Sequence, residues 1–280
     1  MLSRFLKKKP SLVRQEPSLG ERRGMPHAGP MVFLALREPI SLDRQRLFTT
    51  LCSRYKKADG TEPLVSIAGP LVTVAGVTVT ILSVDAPLPD GWQELAKPGR
   101  NLFFPNAQEI CATHRAHLTL GVMSEETDLK RRTRVLTAVA GTIAFLYPDQ
   151  VLAGIWESKV LNSGKFWADS SADSFSPYPR FPVSLWISLH PFSDEQTGGI
   201  GALSQGLARF VGRELELLGH GLDVRVVLQR ADGLVTYLVE NGPVLKDEST
   251  FGISEKERIS VAFRTSTRFG GLPVIAATLE

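Results

Sequence analysis

The chain has 280 residues, enough for one large domain or two small ones, and its 43% hydrophobic and 22% charged residues are typical of a globular protein. Residues 1–24 hold seven basic and two acidic side chains, a local charge of +5, whereas the other 25 basic and 27 acidic residues sum to −2. This balance excludes a folded domain that concentrates positive charge for nucleic-acid binding, and we expect no nucleic-acid partner.

Residues 1–30 predict a basic, disordered extension, because charges and prolines interrupt every apolar stretch. No unbroken apolar segment of signal-peptide type is present there, and no run of about 18 apolar residues occurs elsewhere. We therefore expect neither a secretory leader nor a transmembrane segment. Cys52 and Cys111 are the only cysteines and fall among apolar positions, which indicates two buried thiols in a reducing cytoplasm.

The predicted elements of the first half, 31–160, begin with a buried strand over 31–39 that ends at a proline. Ser41 is expected to cap a helix that extends to about Tyr55. Residues 64–87 then alternate between Val or Ile and Thr, with Gly-Pro and Ala-Gly breaks, and this pattern predicts several short strands.

The remainder of the first half predicts a helix that opens at Asn106, a strand over 117–122 and the longest helix of the chain. Ser124 is expected to cap that helix, which ends near Tyr147. The apolar run over 150–157 predicts a further strand.

Residues 161–182 are expected to connect the two halves. Prolines favour extended backbone and Ser/Asp pairs favour turns, while the aromatic residues favour order. No histidine accompanies the serines and aspartates, so a catalytic loop is not expected. We interpret the segment as a packed connection with an exposed, partner-binding edge. The predicted partner-binding residues are Phe166, Trp167, Asp169, Asp173, Phe175 and Tyr178.

The second half, 183–280, again mixes predicted strands and helices. The expected strands are 183–190, 223–230, 258–265 and 272–279, and the expected helices are 201–217 and 233–243. The whole pattern predicts an α+β fold of two mixed halves, for which split-βαβ (ferredoxin-like) units packed together are one fitting arrangement.

No catalytic constellation emerges from the sequence. His114 and His117 have H-x-x-H spacing, but the predicted helix ends between them and no further ligand follows at metal spacing. Ser204 lacks the preceding glycine of a nucleophile elbow, because Ala202 occupies that position. Paired carboxylates and a phosphate-binding loop motif are also missing, so we expect no metal, no cofactor and no enzymatic activity.

An alternative prediction rests on the glycines before the helix expected at about 202. Gly198, Gly199 and Gly201 would expose backbone N–H groups at a helix N-terminus, where anions bind. On this alternative the protein is an enzyme or a sensor that binds a small phosphorylated ligand at that loop.

Segment 197–217 resembles a signature of a bacterial domain of unknown function, family 4261. Trp156 at a strand end, Ser163-Gly164 soon after it and the loop over 247–253 occur in the same order as in that family. The resemblance would extend over about 31–279. Its motifs are glycines, aromatic residues and apolar positions, which specify a fold more than a reaction.

The resemblance implies an immunity role, since proteins of this kind are associated with secreted bacterial toxins, including toxins delivered by contact-dependent (type VI) secretion. We therefore expect a cytoplasmic, non-catalytic binding protein that neutralises a cognate toxin or effector by blocking it. A secretion accessory factor that binds a toxin without neutralising it is a third alternative. The sequence leaves open whether the chain acts as a monomer or a homodimer.

Overall fold

The computed structural model describes residues 29–56, 60–97, 101, 104–195, 197–254 and 257–279. The extension predicted over 1–30 therefore lies, except for its last two residues, outside the described residues. The fold is α+β, as the sequence predicts, and contains two multi-stranded sheets with helices packed on them. No helix in the described ranges is long and apolar enough to cross a membrane.

The first sheet has seven strands in the order β2-β3-β4-β5-β1-β6-β7, and all neighbours are antiparallel. The strands are β1 (Met31–Leu36), β2 (Val65–Ala68), β3 (Leu71–Val74), β4 (Val77–Val84), β5 (Ala116–Val122), β6 (Val151–Trp156) and β7 (Val160–Ser163).

Alternating burial explains why residues 64–87 form strands rather than a helix. Val77, Val79 and Ile81 of β4 point into the core, whereas the threonines between them are half-buried. Ala75 and Gly76 both have positive φ angles, 49° and 84°, and form the two-residue turn between β3 and β4.

Seven helices lie within the described residues. They are α1 (Arg44–Arg54), α2 (Trp92–Leu95), α3 (Ala107–Cys111), α4 (Leu129–Leu146), α5 (Gly164–Ser170), α6 (Ala208–Val211) and α7 (Val224–Asn241). Helices α1, α4 and α5 pack together over one face of the first sheet, while α2 and α3 belong to a smaller apolar cluster that includes Ala35, Ala153 and Ile155 of β1 and β6.

The two capping serines predicted for the first half are wrong. Asp43 caps α1 by accepting a hydrogen bond from the Arg46 N–H at 2.9 Å, and Asp128 caps α4 by accepting from the Lys130 N–H at 2.9 Å. Both helices therefore begin later than expected. A carboxylate at the N-cap also complements the helix dipole, which a serine does less well.

The second sheet has six strands in the order β11-β12-β13-β10-β9-β8, in which β10 and β13 are parallel and the other pairs antiparallel. The strands are β8 (Ser188–Asp194), β9 (Gly199–Gln205), β10 (Glu214–Gly219), β11 (Ser249–Ser254), β12 (Glu257–Thr265) and β13 (Pro273–Leu279). Its order differs from that of the first sheet, so the arrangement of two ferredoxin-like units is not confirmed.

Three predictions in the second half are wrong. The helix expected over 201–217 is instead β9, the single turn α6 and β10, while the strand expected over 223–230 is the first half of α7. In α7 the Asp223 carboxylate caps the helix through the Arg225 N–H at 2.8 Å, and buried apolar residues recur every three or four positions. The strand expected over 183–190 begins only at Ser188, after a 3-10 turn over Val183–Leu185.

One apolar core contains residues of both sheets, with Trp186 near its centre. The Trp186 ring lies 6.3 Å from Trp156, 6.1 Å from Phe181 and 5.9 Å from Phe210, between ring centroids. Helix α4 is buried along twelve of its 18 residues, including the whole stretch 135–144. A helix buried on all sides packs between layers of the fold, and α4 does so here.

Candidate functional site

The glycines predicted to bind an anion do not lie at a helix N-terminus. Gly199 and Gly201 belong to β9, and Gly198 lies in the turn before it. A methyl group on Gly201 would overlap the ring of Phe192 on the adjacent strand β8. The glycine therefore makes room for a cross-strand aromatic ring, and the helix start on which the predicted anion site depends is wrong.

The connecting segment forms β7, α5 and a 3-10 turn over Ser171–Asp173. Ser163 caps α5 through the Phe166 N–H at 3.1 Å, and this orientation places Trp167 against β6. Trp167 is fully buried, and its indole lies on Gly154, where any larger residue would overlap it. The prediction that Trp167 lies on an exposed edge is therefore wrong.

The other predicted partner-binding residues are spread over α5 and the loop that follows. Phe166 is half-buried against the core, and Asp169 is exposed and forms an ion pair with Lys165 at 2.6 Å. Asp173 accepts a hydrogen bond from the Ser176 hydroxyl at 2.8 Å. Phe175 and Tyr178 are 38% and 43% exposed, so these two rings are accessible to a partner.

Phe175 is part of a larger surface that the sequence did not reveal. Its ring meets that of Tyr55 edge-on at 5.2 Å, and the Arg54 guanidinium lies 4.7 Å from the ring of Phe145 on α4. Phe145 is 52% exposed although its neighbours in α4 are buried. We call Arg54, Tyr55, Phe145 and Phe175 the aromatic surface.

Arg54 is fixed in the aromatic surface by α5. Its Nη2 donates to the Ala168 carbonyl oxygen and to the Ser171 hydroxyl oxygen, the latter at 3.2 Å. The Tyr55 hydroxyl oxygen lies 3.2 Å from the Ala138 carbonyl oxygen and 3.1 Å from the Ser171 carbonyl oxygen, which are the acceptors for its proton. These bonds join α1, α4 and α5 beneath the exposed rings and hold the surface in one arrangement.

A cavity of about 240 Å³ lies where β7, β8, β9 and α7 meet, and we call it the inter-sheet cavity. Apolar side chains form much of its wall, among them Val160, Leu161, Ile187, Leu189 and Leu228. Its polar lining includes Lys159, Asn162, Ser188, His190, Gln205 and Asp232. A mainly apolar concavity with a few polar groups is the usual form of a small-molecule site.

Ser188 and His190 lie two residues apart on β8 and therefore on the same face of the strand. The His190 Nε2 lies 2.9 Å from the Ser188 Oγ and 3.1 Å from the Gln205 Oε1. When Nε2 carries the proton that reaches Gln205, it cannot accept the serine proton. This tautomer does not give a nucleophile and base pair.

Asp232 presents a carboxylate to the inter-sheet cavity from α7. The side chain is exposed at the mouth of the cavity, and partial desolvation by the surrounding protein raises its pKa. Within the described part of the chain the carboxylate has neither an ion pair nor a hydrogen bond.

The two histidines with H-x-x-H spacing are both used in local structure. The Leu88 N–H donates to the His114 Nε2 at 2.8 Å, and the His114 Nδ1 contacts the Cys111 carbonyl oxygen. The His117 Nδ1 lies 2.8 Å from the Ala86 carbonyl oxygen. Among the described residues, no group of three or more His, Cys, Asp or Glu side chains could hold a metal ion.

Two buried carboxylates organise the second sheet. Glu214 accepts hydrogen bonds from the Ser204 hydroxyl at 2.6 Å and from the N–H groups of Gly206 and Leu207 at 2.9 and 3.0 Å. Glu216 pairs with Arg264 and Arg268, each at 2.9 Å. Arg268 donates hydrogen bonds to the carboxylates of Asp194 and Glu216, and these bonds, the one to Asp194 most of all, raise the pKa of Arg268 against its desolvation.

These features define an α+β protein whose second sheet is built around buried, hydrogen-bonded carboxylates. Residues 203–268, which include α6, β10, α7, β11 and β12, match the family described as Domain of unknown function (DUF4261). Glu214, Glu216 and Arg264 lie inside the matched segment, so the match includes the residues that organise the sheet. No curated protein and no solved structure shows a significant match to the chain.

Proposed function

We propose that the protein is a non-catalytic binding protein, an immunity protein that covers a cognate bacterial toxin and so neutralises it. The observation that carries this proposal is the aromatic surface, where the Arg54 guanidinium lies on the exposed ring of Phe145 and the exposed ring of Phe175 packs against the neighbouring Tyr55. Exposed aromatic rings together with arginine are the side chains that contribute most binding energy in protein interfaces.

The aromatic surface is preorganised for binding. Arg54 is already bonded to the Ala168 carbonyl, and Phe175 already contacts the buried ring of Tyr55. A partner that docks here therefore orders few side chains, which reduces the entropic cost of association. The ring of Tyr178, three residues after Phe175 in the sequence, is also exposed.

The identity of the partner is inferred from the family resemblance, which implies a toxin. Neutralisation by blocking needs no reacting group in the immunity protein, only a surface that fills or covers the toxin's own site. The proposal is compatible with a fold whose His190, His114 and His117 are occupied by hydrogen bonds.

Co-expression with the product of the adjacent gene tests the proposal. We expect a complex in pull-down and survival of cells that die when the partner is expressed alone. In the double variant Phe145→Ala/Phe175→Ala we expect the dissociation constant to rise at least tenfold, since interface aromatic residues often contribute about 2 kcal/mol each.

A matched control is the double variant Val226→Ala/Leu272→Ala, which removes two apolar side chains that are 38% and 44% exposed outside the aromatic surface. It should keep both the affinity and the protection. Equal loss in both variants, or no complex at all, would refute the proposal. A complex that gives no protection would refute the immunity role and favour a secretion accessory factor.

A further inference from the structure

We propose that the inter-sheet cavity binds a small uncharged molecule with an apolar body and an N–H or O–H group, which donates a hydrogen bond to the Asn162 side-chain oxygen. The cavity shares no residue with the aromatic surface, so the proposal does not depend on the immunity role. Three observations carry it: the apolar wall, a buried amide whose oxygen accepts no hydrogen bond, and two exposed charges of opposite sign.

The size and the wall of the cavity suit a small apolar body. Its volume of about 240 Å³ lies just below the range of about 300–1,000 Å³ that is usual for ligand pockets, so a compact molecule fits best. Leu161 on β7, Ile187 before β8 and Leu228 on α7 line this space from three parts of the chain. Burying a hydrocarbon body against these side chains stabilises a complex in proportion to the apolar area removed from water.

Asn162 sets the hydrogen-bonding requirement of the site. It lines the cavity from β7 and is only 4% exposed, and its Nδ2 donates to the Ser184 carbonyl oxygen at 3.2 Å, which fixes the amide. Within the described part of the chain, no group donates to its Oδ1. This oxygen is nevertheless not sealed off from solvent, so a molecule in the cavity can reach it.

A ligand that fills the cavity displaces water from the Asn162 Oδ1. The ligand must then supply a donor of its own, because an acceptor that is left unpaired in an apolar complex costs free energy. A purely hydrocarbon ligand, or one that presents an acceptor atom at this point, pays that cost in full. The wall therefore favours an N–H or O–H group over an isosteric group without a proton.

Other polar side chains of the wall are bonded within the protein. The His190 Nε2 lies 2.9 Å from the Ser188 Oγ and 3.1 Å from the Gln205 Oε1, and the Asn101 Nδ2 donates to the Leu161 carbonyl oxygen. All four of these side chains are half-buried, whereas Asn162 is buried. Asn162 is therefore the group among them for which a ligand donor matters most.

Lys159 and Asp232 give the cavity no preference for either sign of charge. Both side chains line it, both are exposed, and their charges are opposite. Their effects on a charge inside the cavity oppose each other, and water and salt screen both. An ammonium or carboxylate group would lose hydration against the apolar wall without gaining a buried counter-charge, so an uncharged ligand is favoured.

Calorimetric titration of the full chain with indole and with benzofuran tests the hydrogen bond. The two probes have nearly the same shape, but indole presents an N–H group where benzofuran presents a ring oxygen. We expect indole to bind at least about fivefold more tightly, because the benzofuran oxygen leaves the Asn162 Oδ1 without a donor. Benzyl alcohol should bind more tightly than both benzylamine and benzoate, which have similar bodies and carry opposite charges.

Three variants locate the site. Asn162→Leu removes the acceptor but keeps a side chain of similar size, so the affinities for indole and benzofuran should become equal. Leu228→Trp should fill the cavity and abolish the binding of both probes. The matched control is Val226→Trp, on the same helix but outside the cavity, which should bind as the wild type does.

Equal affinities for indole and benzofuran in the wild type, a preference for indole that persists in Asn162→Leu, or unchanged binding in Leu228→Trp would each overturn the proposal. Tighter binding of benzylamine or benzoate than of benzyl alcohol would overturn it as well, and so would no binding of indole and benzyl alcohol at millimolar concentrations. If Asn162→Leu does not fold, the wild-type affinity ratios and Leu228→Trp decide the outcome without it.

Discussion

The indole Nε1 of Trp186 donates a hydrogen bond to the Thr137 Oγ1 at 2.8 Å, and this bond joins the chain that leads into the second sheet to the central helix of the first. The threonine hydroxyl in turn donates to the Thr133 carbonyl oxygen at 2.8 Å. The Thr137 hydroxyl thus accepts a hydrogen bond from Trp186 in the second half of the chain and donates one to Thr133 in the first half. Both side chains are fully buried.

Replacing Thr137 with valine should destabilise the protein by about 1–3 kcal/mol, because the buried Trp186 N–H would lose its acceptor. Thr142→Val is the matched control. Its hydroxyl is also buried but donates only to the Ala138 carbonyl of its own helix, so the loss should stay below about 1 kcal/mol. Urea unfolding measures both changes, and equal losses would show that the Trp186 bond contributes nothing.

Two glycine substitutions should change stability in opposite directions. Gly154→Ala would push a methyl group into the Trp167 indole and should cost about 1–3 kcal/mol by overpacking. Gly233 lies within α7 with no neighbouring atom within 4 Å of an added methyl group, so Gly233→Ala should stabilise by about 0.5–1 kcal/mol. Thermal unfolding checks both, and a stabilising Gly154→Ala would contradict the packing described.

The Glu214 carboxylate is expected to be essential for the turn between β9 and α6. Glu214→Gln replaces one acceptor oxygen with an NH2 group that faces existing donors, and should cost about 2–4 kcal/mol. Glu240→Gln is the control, because its partly exposed pair with Arg134 at 3.3 Å should contribute no more than about 1 kcal/mol. Chemical denaturation, followed by circular dichroism, measures the free energy of unfolding of both variants. Equal losses in the two variants would contradict the role given to Glu214.

Asp232→Asn should raise the melting temperature at neutral pH. Desolvation raises the pKa of Asp232, so the folded protein binds that proton more readily than the unfolded chain does. The charged carboxylate therefore lowers the free energy of unfolding of the wild type most at pH values above the raised pKa. This destabilisation disappears at pH values below the ordinary pKa of aspartate. The stabilisation by asparagine should shrink as the pH falls through this range. Melting curves recorded from pH 7 to pH 3 test this sign, and a gap that widened on acidification would contradict it.

The two thiols should resist modification in the native state. Burial raises the pKa of Cys111 to about 12, and burial together with the Glu62 charge raises the pKa of Cys52. At pH 8 only about one Cys111 in ten thousand would be thiolate, which is the reactive form. An aromatic disulfide reagent should label two thiols rapidly in denaturant and leave Cys111 unlabelled in buffer. Rapid native labelling at Cys111 would show that its site opens.

The sequence predicted the first sheet well because its signals are local. In β4, valine and threonine alternate at the strand period, and in α4 the apolar residues continue over many turns. Proline and glycine mark the breaks between these elements. The capping residues were less predictable, since Ser41 and Asp43 both lie near the start of α1 and only the backbone geometry selects one of them.

The second half was predicted less well because its local signals conflict with tertiary packing. Valines at the start of α7 favour a strand by propensity, yet their spacing buries one helical face. Residues 201–217 contain leucines at helical spacing, but Glu214 reaches back to the Ser204 hydroxyl and holds the chain in a strand–turn–strand path. That contact joins residues ten positions apart and is not readable from a periodicity.

The candidate sites depended even more on distant contacts. The exposure of Phe175 and Tyr178 agreed with the expected edge, whereas Trp167 is buried because Gly154, on a different strand, leaves space for its indole. Phe145 escaped prediction because it continues an apolar helix, and the inter-sheet cavity is assembled from strands, helices and loops that lie far apart in the sequence. No single stretch of sequence contains enough of either site to identify it.

Strand β13 has a consequence for the order in which the chain can fold. It lies inside the second sheet, paired with β12 on one side and parallel to β10 on the other, although it is the last strand in sequence. Until residues 273–279 dock, β12 and β10 each leave a row of unpaired backbone groups, which template aggregation. The parallel pair also spans more than 50 residues of intervening chain, a long loop to close. Closure of the second sheet is therefore expected to be the slow step of folding.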